Sequence, residues 1–305
     1  MKAVRFDSYG DEDVLEVRDV DDPVAAPGGV VVRVKATSIN PGEAAIRSGA
    51  MHEMWPSTFP SGQGSDFAGT VEAVGDGVAG FAPGEPVLGW TDERSAQAEL
   101  VSVPAEQVVR KPDGLSWEVA GSMFVAPAAG YACVTAVAPR SGETVVVSSA
   151  AGGVGGVAAQ LARLAGATVI GLAGEGNHDW LREHGIVPVT YGEGQDARIR
   201  EAAPQGVDAL IDTHGGGYLD LGVELGVAPG RMNSVIDFEA AGRLGAQTVG
   251  SSQVIDAGVL GHLARLAASG ELDIPVAATY PLADVRAAYR RLADRHTRGK
   301  IVLLP

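Results

Sequence analysis

One stretch limits the folds open to this chain more than any other: Thr144 to Gly166, TVVVSSAAGGVGGVAAQLARLAG. Val145, Val146 and Val147 are consecutive, apolar and β-branched, which suits a parallel strand buried on both faces. Ser148 to Gly153 is a turn of small residues. Val154, Val157, Ala158, Leu161 and Leu164 then recur at helical spacing, and Gly166 stands where a left-handed cap would end the helix. Strand, glycine turn and helix together offer free backbone N–H groups to a pyrophosphate at the positive end of a helix. A side chain at Gly152 or Gly153 would hold phosphates away, and Gly155 lets helix and sheet pack closely. The first glycine of GxGxxG is replaced by Ala150, so the pattern alone is a weak signal. Its context strengthens it: Thr168 to Leu172 reads as a second strand, closing a βαβ unit of about 30 residues.

Around this unit the chain changes character once. Residues 1 to about 115 carry short strand candidates at Met1 to Phe6, Val14 to Val17, Gly29 to Ala36, Gly69 to Val74, Pro86 to Leu88 and Glu99 to Val103. Gly and Pro punctuate them, as in a small irregular barrel or sandwich. From about Ser116 the pattern turns to alternating helices and strands. A helical, Ala-rich Trp117 to Thr135 leads, and the strands are Thr168 to Leu172, Ile186 to Thr190, Ala209 to Asp212, Arg231 to Ile236 and Gln247 to Gly250. That alternation predicts an α/β fold with a doubly wound parallel sheet. After Ser251 come a helix at 254–269, a strand at Val276 to Tyr280, a helix at Leu282 to Asp294 and a strand at Lys300 to Leu304. This tail is too short to be a domain and is expected to fold back onto the first one. The domains expected are 1–115 plus 251–305, and 116–250.

Bulk properties exclude several functions. A net charge of −15 over 305 residues disfavours nucleic acid as a partner. No apolar run reaches the roughly 18 residues that span a bilayer. The start MKAVRFDSYG lacks an apolar signal core, so a cytoplasmic protein is expected. The single Cys133 excludes an internal disulfide and a multi-cysteine metal site, and its apolar helical surroundings read as core.

Four further stretches carry a resemblance: SINPGEAAIRSG at 38–49, GSDFAGTVEAVGDGV at 64–78, SSAAGGVGGVAAQLARLAGATVIG at 148–171 and HTRGKIVLLP at 296–305. Together they resemble the zinc-free quinone oxidoreductase branch of the medium-chain dehydrogenase/reductase superfamily. The resemblance implies a GroES-like β-barrel domain interrupted by a Rossmann domain, a nicotinamide cofactor and a homodimer. The zinc branch has a cysteine where Asn40 stands and a His-Glu pair at Ser65-Asp66. Asn40 and Ser65 cannot complete a set of three or four zinc ligands. Without a metal to polarise an alcohol, the chemistry that remains is hydride transfer to an electrophilic acceptor, a quinone or an α,β-unsaturated carbonyl compound. An enoyl reductase tailoring a biosynthetic intermediate is the variant within this class. A non-catalytic NADPH-binding protein is the rival outside it.

NAD enzymes place an acidic residue at the end of the second strand, on the ribose 2′-OH. Here Ala173 and Gly174 occupy that place, which favours NADPH. The resemblance adds Tyr191 as a 2′-phosphate contact, although relatives often carry a basic residue at Gly176. It further implies cofactor contacts from Asn40, from Ala151, Gly152, Gly153 and Val154, from Val235 and Ile236, and from the cations Arg298 and Lys300. His214 follows the fourth Rossmann strand, at the carboxyl end where ligands bind, and is expected to touch the cofactor. Asn40 can donate its amide to a substrate oxygen that gains charge, or cap the turn before Pro41. Where relatives have a substrate-facing tyrosine this chain has Met51 and His52; His52 is the candidate proton donor, while Met51, Met54 and Trp55 are the candidate apolar pocket. Ala129-Gly130 replaces a threonine that anchors the nicotinamide amide in relatives. Asp66 is assigned to structure, and Arg286, Arg290 and Arg291 to a solvated helix face.

Overall fold

The computed structural model describes residues 1–295 and 297–305. His296, which opens the C-terminal stretch quoted above, lies outside them. The chain divides into two compact units, Met1–Val125 with Asp256–Glu271 and Pro275–Pro305, and Ala126–Ile255 with Leu272–Ile274.

The first unit opens with β1 (Lys2–Phe6), β2 (Glu16–Asp19), β3 (Gly29–Ser38), α1 (Pro41–Ser48), β4 (Ser61–Gly62) and β5 (Asp66–Val74). β6 (Pro86–Trp90), β7 (Leu100–Pro104), β8 (Val108–Arg110) and α2 (Trp117–Ala120) follow. The helix expected over 117–135 is broken. A Cβ on Gly121 would lie 2.5 Å from the Ala36 carbonyl oxygen, so α2 stops where the backbone meets β3, and α3 (Val125–Val137) starts afresh. α2 packs on β3 and β5, which carries the first unit on to Val125, beyond the expected boundary at 115.

The second unit is built on β9 (Thr144–Val147), α4 (Gly153–Leu164), β10 (Thr168–Leu172), α5 (His178–Glu183), β11 (Val187–Val189) and α6 (Gln195–Ala202). It continues through β12 (Ala209–Asp212), α7 (Tyr218–Glu224), β13 (Met232–Ser234) and α8 (Phe238–Leu244). The sheet is parallel, in the order β11-β10-β9-β12-β13. This is the doubly wound order of a dinucleotide fold, reversing direction at β9. Val145 and Val147 enter one core with Ala158, Ala162 and Leu181, while Val146 enters the opposite core with Ile199, Leu210 and Leu219. Each valine is fully buried, worth about 1.5–3 kcal/mol apiece. The strand expected at 247–250 reduces to a single bridge between Asn233 and Gln247.

The chain then returns to the first unit with α9 (Ala257–Ser269), β14 (Val276–Pro281), α10 (Val285–Ala293) and β15 (Lys300–Leu304). β15 lies between β14 and β3, pairing Val302 with Ser38 and Leu303 with Thr37. The tail therefore completes the sheet β14-β15-β3-β5-β6-β8, with β7 also on β3, beside the smaller sheet β2-β1-β4. Among the described residues no helix is long and apolar enough to cross a membrane.

Candidate functional site

The turn after β9 is held by its own backbone. Ala150 N–H donates to Leu172 O (3.0 Å), and Gly152 N–H to Ser149 O (2.8 Å). Ser149 adopts a left-handed φ of +49°. Gly152 is the N-cap of α4 and no side chain caps that end, so the first-turn amides, which have no partner within a helix, face outward. A Cβ on Gly155 would stand 2.3 Å from Ser149 O and 2.8 Å from Ser148 O. Both are backbone atoms, so the turn seats on α4 only with glycine there. Ala151 has its side chain in the core, leaving only its backbone to a ligand, whereas Gly152, Gly153 and Val154 are half-buried.

The carboxyl ends of the neighbouring strands are tied by Asp212, a residue that sequence reasoning passed over. Its buried carboxylate accepts from Ser148 Oγ (2.8 Å), Ser234 Oγ (2.8 Å) and the amides of His214 and Gly215 (3.0 Å each). Ser234 Oγ in turn accepts from the amides of Ile236 and Asp237. One carboxylate thus joins β9, β12 and β13 and shapes the loops that carry His214 and Val235-Ile236. The signal was there: a carboxylate inside the apolar strand ALID, with serines ending both flanking strands. His214 is exposed on this loop, its ring edge-on to Tyr218 at 5.9 Å. Three successive glycines follow with φ of +79°, +73° and +94°, a path that side chains rarely tolerate.

At the end of β10, Ala173 and Gly174 bring no carboxylate. A Cβ on Gly174 would lie 3.7 Å from the Tyr191 hydroxyl, which is half-exposed. His178, another group missed in the sequence, donates from Nε2 to Ala173 O at 3.3 Å. Gly130 has no room for the threonine of relatives, since a Cβ there would meet Val157 Cγ1 at 2.8 Å.

In the first unit the expectation for Asn40 is corrected. It is 1% exposed. Its Nδ2 donates to Asp66 Oδ2 (2.7 Å) and Glu43 Oε1 (3.1 Å), and its Oδ1 accepts from Lys300 Nζ. Both amide protons are committed, so none is left for a substrate oxygen. The other half of the expectation stands: Asn40 is the N-cap of α1 before Pro41, in a capping box with Glu43, which accepts the Asn40 N–H at 3.1 Å. Lys300 is corrected with it. Rather than a cation facing a cofactor, it is 4% exposed on β15 and also donates to Ile39 O at 3.2 Å. Burial lowers its ammonium below the usual lysine range, against the pull of Asp66 and Glu43. Burial, together with the Asp66 charge, pushes the Glu43 carboxyl up to about 7. Tyr289 donates to Glu43 Oε2 (3.0 Å) and accepts from the amides of Gln63 and Gln97. Asp66 Oδ1 caps the amides of Phe124 and Val125 at 2.8 Å each, a structural role as expected. Arg298 is exposed.

The 51–55 loop has no phenol of its own, but another part of the chain brings one to it. Tyr9, distant in sequence, lies with its hydroxyl 2.7 Å from His52 Nδ1 and accepts the Ser57 N–H at 2.8 Å. Both groups can donate or accept, so the contact ties the phenol to the imidazole whichever of them carries the shared proton. Met54 and Trp55 beside it are exposed at 55% and 42%, and Met51 is half-buried.

The residues at the three positions compared with the zinc branch are engaged within the protein. The two Asp66 oxygens accept four hydrogen bonds, Asn40 is an amide locked in place, and the backbone of Ser65 is used on both sides, its N–H by Glu43 and its carbonyl by Thr91 N–H. Among the described residues no group of three or more His, Cys, Asp or Glu side chains is placed to hold a metal ion.

The parallel sheet with bare helix amides at its reversal point defines a dinucleotide-binding α/β protein. Residues 26–113 match the alcohol dehydrogenase GroES-like domain, and 185–303 the zinc-binding dehydrogenase family. A quinone oxidoreductase of Pseudomonas aeruginosa is 30% identical over all of this chain and 99% of its own length. The Escherichia coli quinone oxidoreductase complexed with NADPH superposes over 100% of both chains with a TM-score of 0.88 at 25% identity. An NAD-dependent alcohol dehydrogenase does so over 100% of both chains with a TM-score of 0.86 at 26% identity. The chain belongs to the medium-chain dehydrogenase/reductase superfamily, in its quinone oxidoreductase branch: an oxidoreductase of a family that uses a nicotinamide cofactor.

Proposed function

We propose that this oxidoreductase is NADPH-dependent and zinc-independent, and reduces a quinone or an α,β-unsaturated carbonyl compound. The observation that carries the reading is the end of β10, where Ala173 and Gly174 stand beside the Tyr191 hydroxyl and the acidic Glu175 comes only two residues after Ala173. An acidic residue at Ala173 or Gly174 would bond a ribose 2′-OH and repel a 2′-phosphate; two small residues beside a phenol hydroxyl suit the phosphate. The amides of Gly153 and Val154 would hold the pyrophosphate, and the Tyr191 hydroxyl the 2′-phosphate. The loop bearing His214, the Val235-Ile236 backbone and Arg298 complete the proposed contacts. When bound, the nicotinamide supplies hydride from C4.

The acceptor is one that needs no Lewis acid, because the Asn40, Ser65 and Asp66 positions supply no ligand set. His52 is the proposed proton donor, its ring held by Tyr9. Met51, Met54 and Trp55 are the proposed apolar contacts for the acceptor. The protein is proposed to act in the cytoplasm as a homodimer formed through the edge of the parallel sheet.

The test is NADPH oxidation followed at 340 nm with 1,4-benzoquinone and small enones, before and after chelation of zinc. Turnover that survives chelation supports the proposal. Loss of activity on zinc removal refutes zinc independence. Tight NADPH binding without oxidation by any acceptor favours a non-catalytic binding protein.

A further inference from the structure

The Arg198 side chain does something its sequence position would not suggest. It lies in the first turns of α6, near the positive end of the helix, where a cation is electrostatically disfavoured. Yet it turns back on the loop before the helix. Nε and Nη2 both donate to Thr190 O, at 3.0 and 2.8 Å, Nη1 donates to Glu193 O at 2.9 Å, and Nη2 also reaches Gly192 O at 3.5 Å. These carbonyls flank Tyr191 on both sides. The loop itself is loose by composition: Gly192 and Gly194 both have positive φ, +97° and +71°, and glycines lose the most freedom on ordering. Its other polar holds are Gly192 N–H to Gln195 Oε1 at 3.0 Å, Gln195 N–H to Gly192 O at 2.9 Å and Arg198 N–H to Gly194 O at 3.3 Å, all C-terminal to Tyr191. Tyr191 is 51% exposed, so packing does little to fix it.

We infer that Arg198 is a positioning residue that sets cofactor preference. Its planar fork fixes the peptides on either side of Tyr191 and so holds the phenol over Gly174 before the cofactor arrives. The inference rests on the proposed NADPH preference and deepens it. It assigns part of that preference to a residue whose hydrogen bonds in the structure go to the loop backbone. Ordering a loop in advance removes an entropic cost from binding, and only a ligand that uses Tyr191 gains from it. A lysine keeps the charge but cannot reproduce the fork.

The test is the Kd of NADPH and of NADH for the full chain, from nicotinamide fluorescence at fixed ionic strength, with Tm as a folding control. Arg198→Ala is expected to weaken NADPH about tenfold, about 1.4 kcal/mol, and to leave NADH within about twofold. Arg198→Lys is expected to behave like Arg198→Ala. In a Tyr191→Phe background, Arg198→Ala is expected to add less than about a twofold further loss, because the two residues act as one device. Equal weakening of both cofactors, or none, would overturn the inference. So would Arg198→Lys binding NADPH like the parent, which would mean that charge rather than the clamp matters. If the parent itself binds NADH at least as tightly as NADPH, the NADPH reading fails, which is a separate outcome.

Discussion

Replacing Lys300 by methionine tests whether this cation serves the fold or the cofactor. Its ammonium is buried with two buried carboxylates, Asp66 and Glu43, and is joined to them through Asn40. Burial pushes the Glu43 carboxyl up to about 7, and the Asp66 charge adds to it, since with all three groups ionised the cluster carries one net negative charge. A raised folded-state value for a carboxyl means that the folded protein binds the proton more readily than the unfolded chain. Stability from this group is therefore complete below about 4.5 and is lost as pH rises to about 7, an interval worth about 3 kcal/mol. Methionine would remove the counter-charge and leave Asn40 Oδ1 without its donor. Breaking a buried pair costs about 3–5 kcal/mol. Near pH 6 Glu43 takes up a proton and limits the loss to about 3 kcal/mol; near pH 8.5 both carboxylates are charged, and the loss reaches about 4–5 kcal/mol. Urea denaturation followed by tryptophan fluorescence at the two pH values measures this, and NADPH affinity of the folded variant should stay within about twofold of the parent. A loss under about 1 kcal/mol at pH 8.5, accompanied by weaker NADPH binding, would refute the structural assignment and restore Lys300 as a cofactor ligand.

Two other substitutions probe the candidate groups. Gly155→Ala sets a methyl 2.3 Å from Ser149 O; it should cost about 2–3 kcal/mol in chemical denaturation and weaken NADPH at least about tenfold, whereas a neutral effect would mean that the turn is not fixed as described. Tyr9→Phe removes the hydroxyl 2.7 Å from His52 Nδ1. Turnover of an enone should fall about tenfold or more with the Kd of NADPH unchanged, and an unchanged pH–rate profile would exclude His52 as proton donor.

The parallel sheet was legible because its signals are local. Val145 to Val147 announce a strand buried on both faces, and Thr168 to Leu172, Ala209 to Asp212 and Lys300 to Leu304 begin and end where expected. Elements shaped by tertiary contact were not. Gly121 breaks a helix because of the Ala36 carbonyl, and Gln247 forms only a bridge although its neighbours read as a strand. The candidate site divides the same way. The glycine turn could be read from spacing. Residue type at Asn40 and Lys300 suggested polar groups free to act, but nothing in the sequence shows that Asp66, Glu43, Asn40 and Lys300 meet and consume one another's hydrogen bonds. Tyr9 and His52 are 43 positions apart, and Asp212 meets Ser148 across 64. Pairings of that kind follow from the fold and leave no periodic trace.

Titration of the purified protein with NADPH and with NADH, at one ionic strength, bears most directly on the claim that the α4 amides and a β10 end closed by Ala173 and Gly174 hold a phosphorylated dinucleotide. The expected result is a Kd for NADPH at least about tenfold below that for NADH, about 1.4 kcal/mol. Tighter NADH binding, or binding of neither, would contradict it.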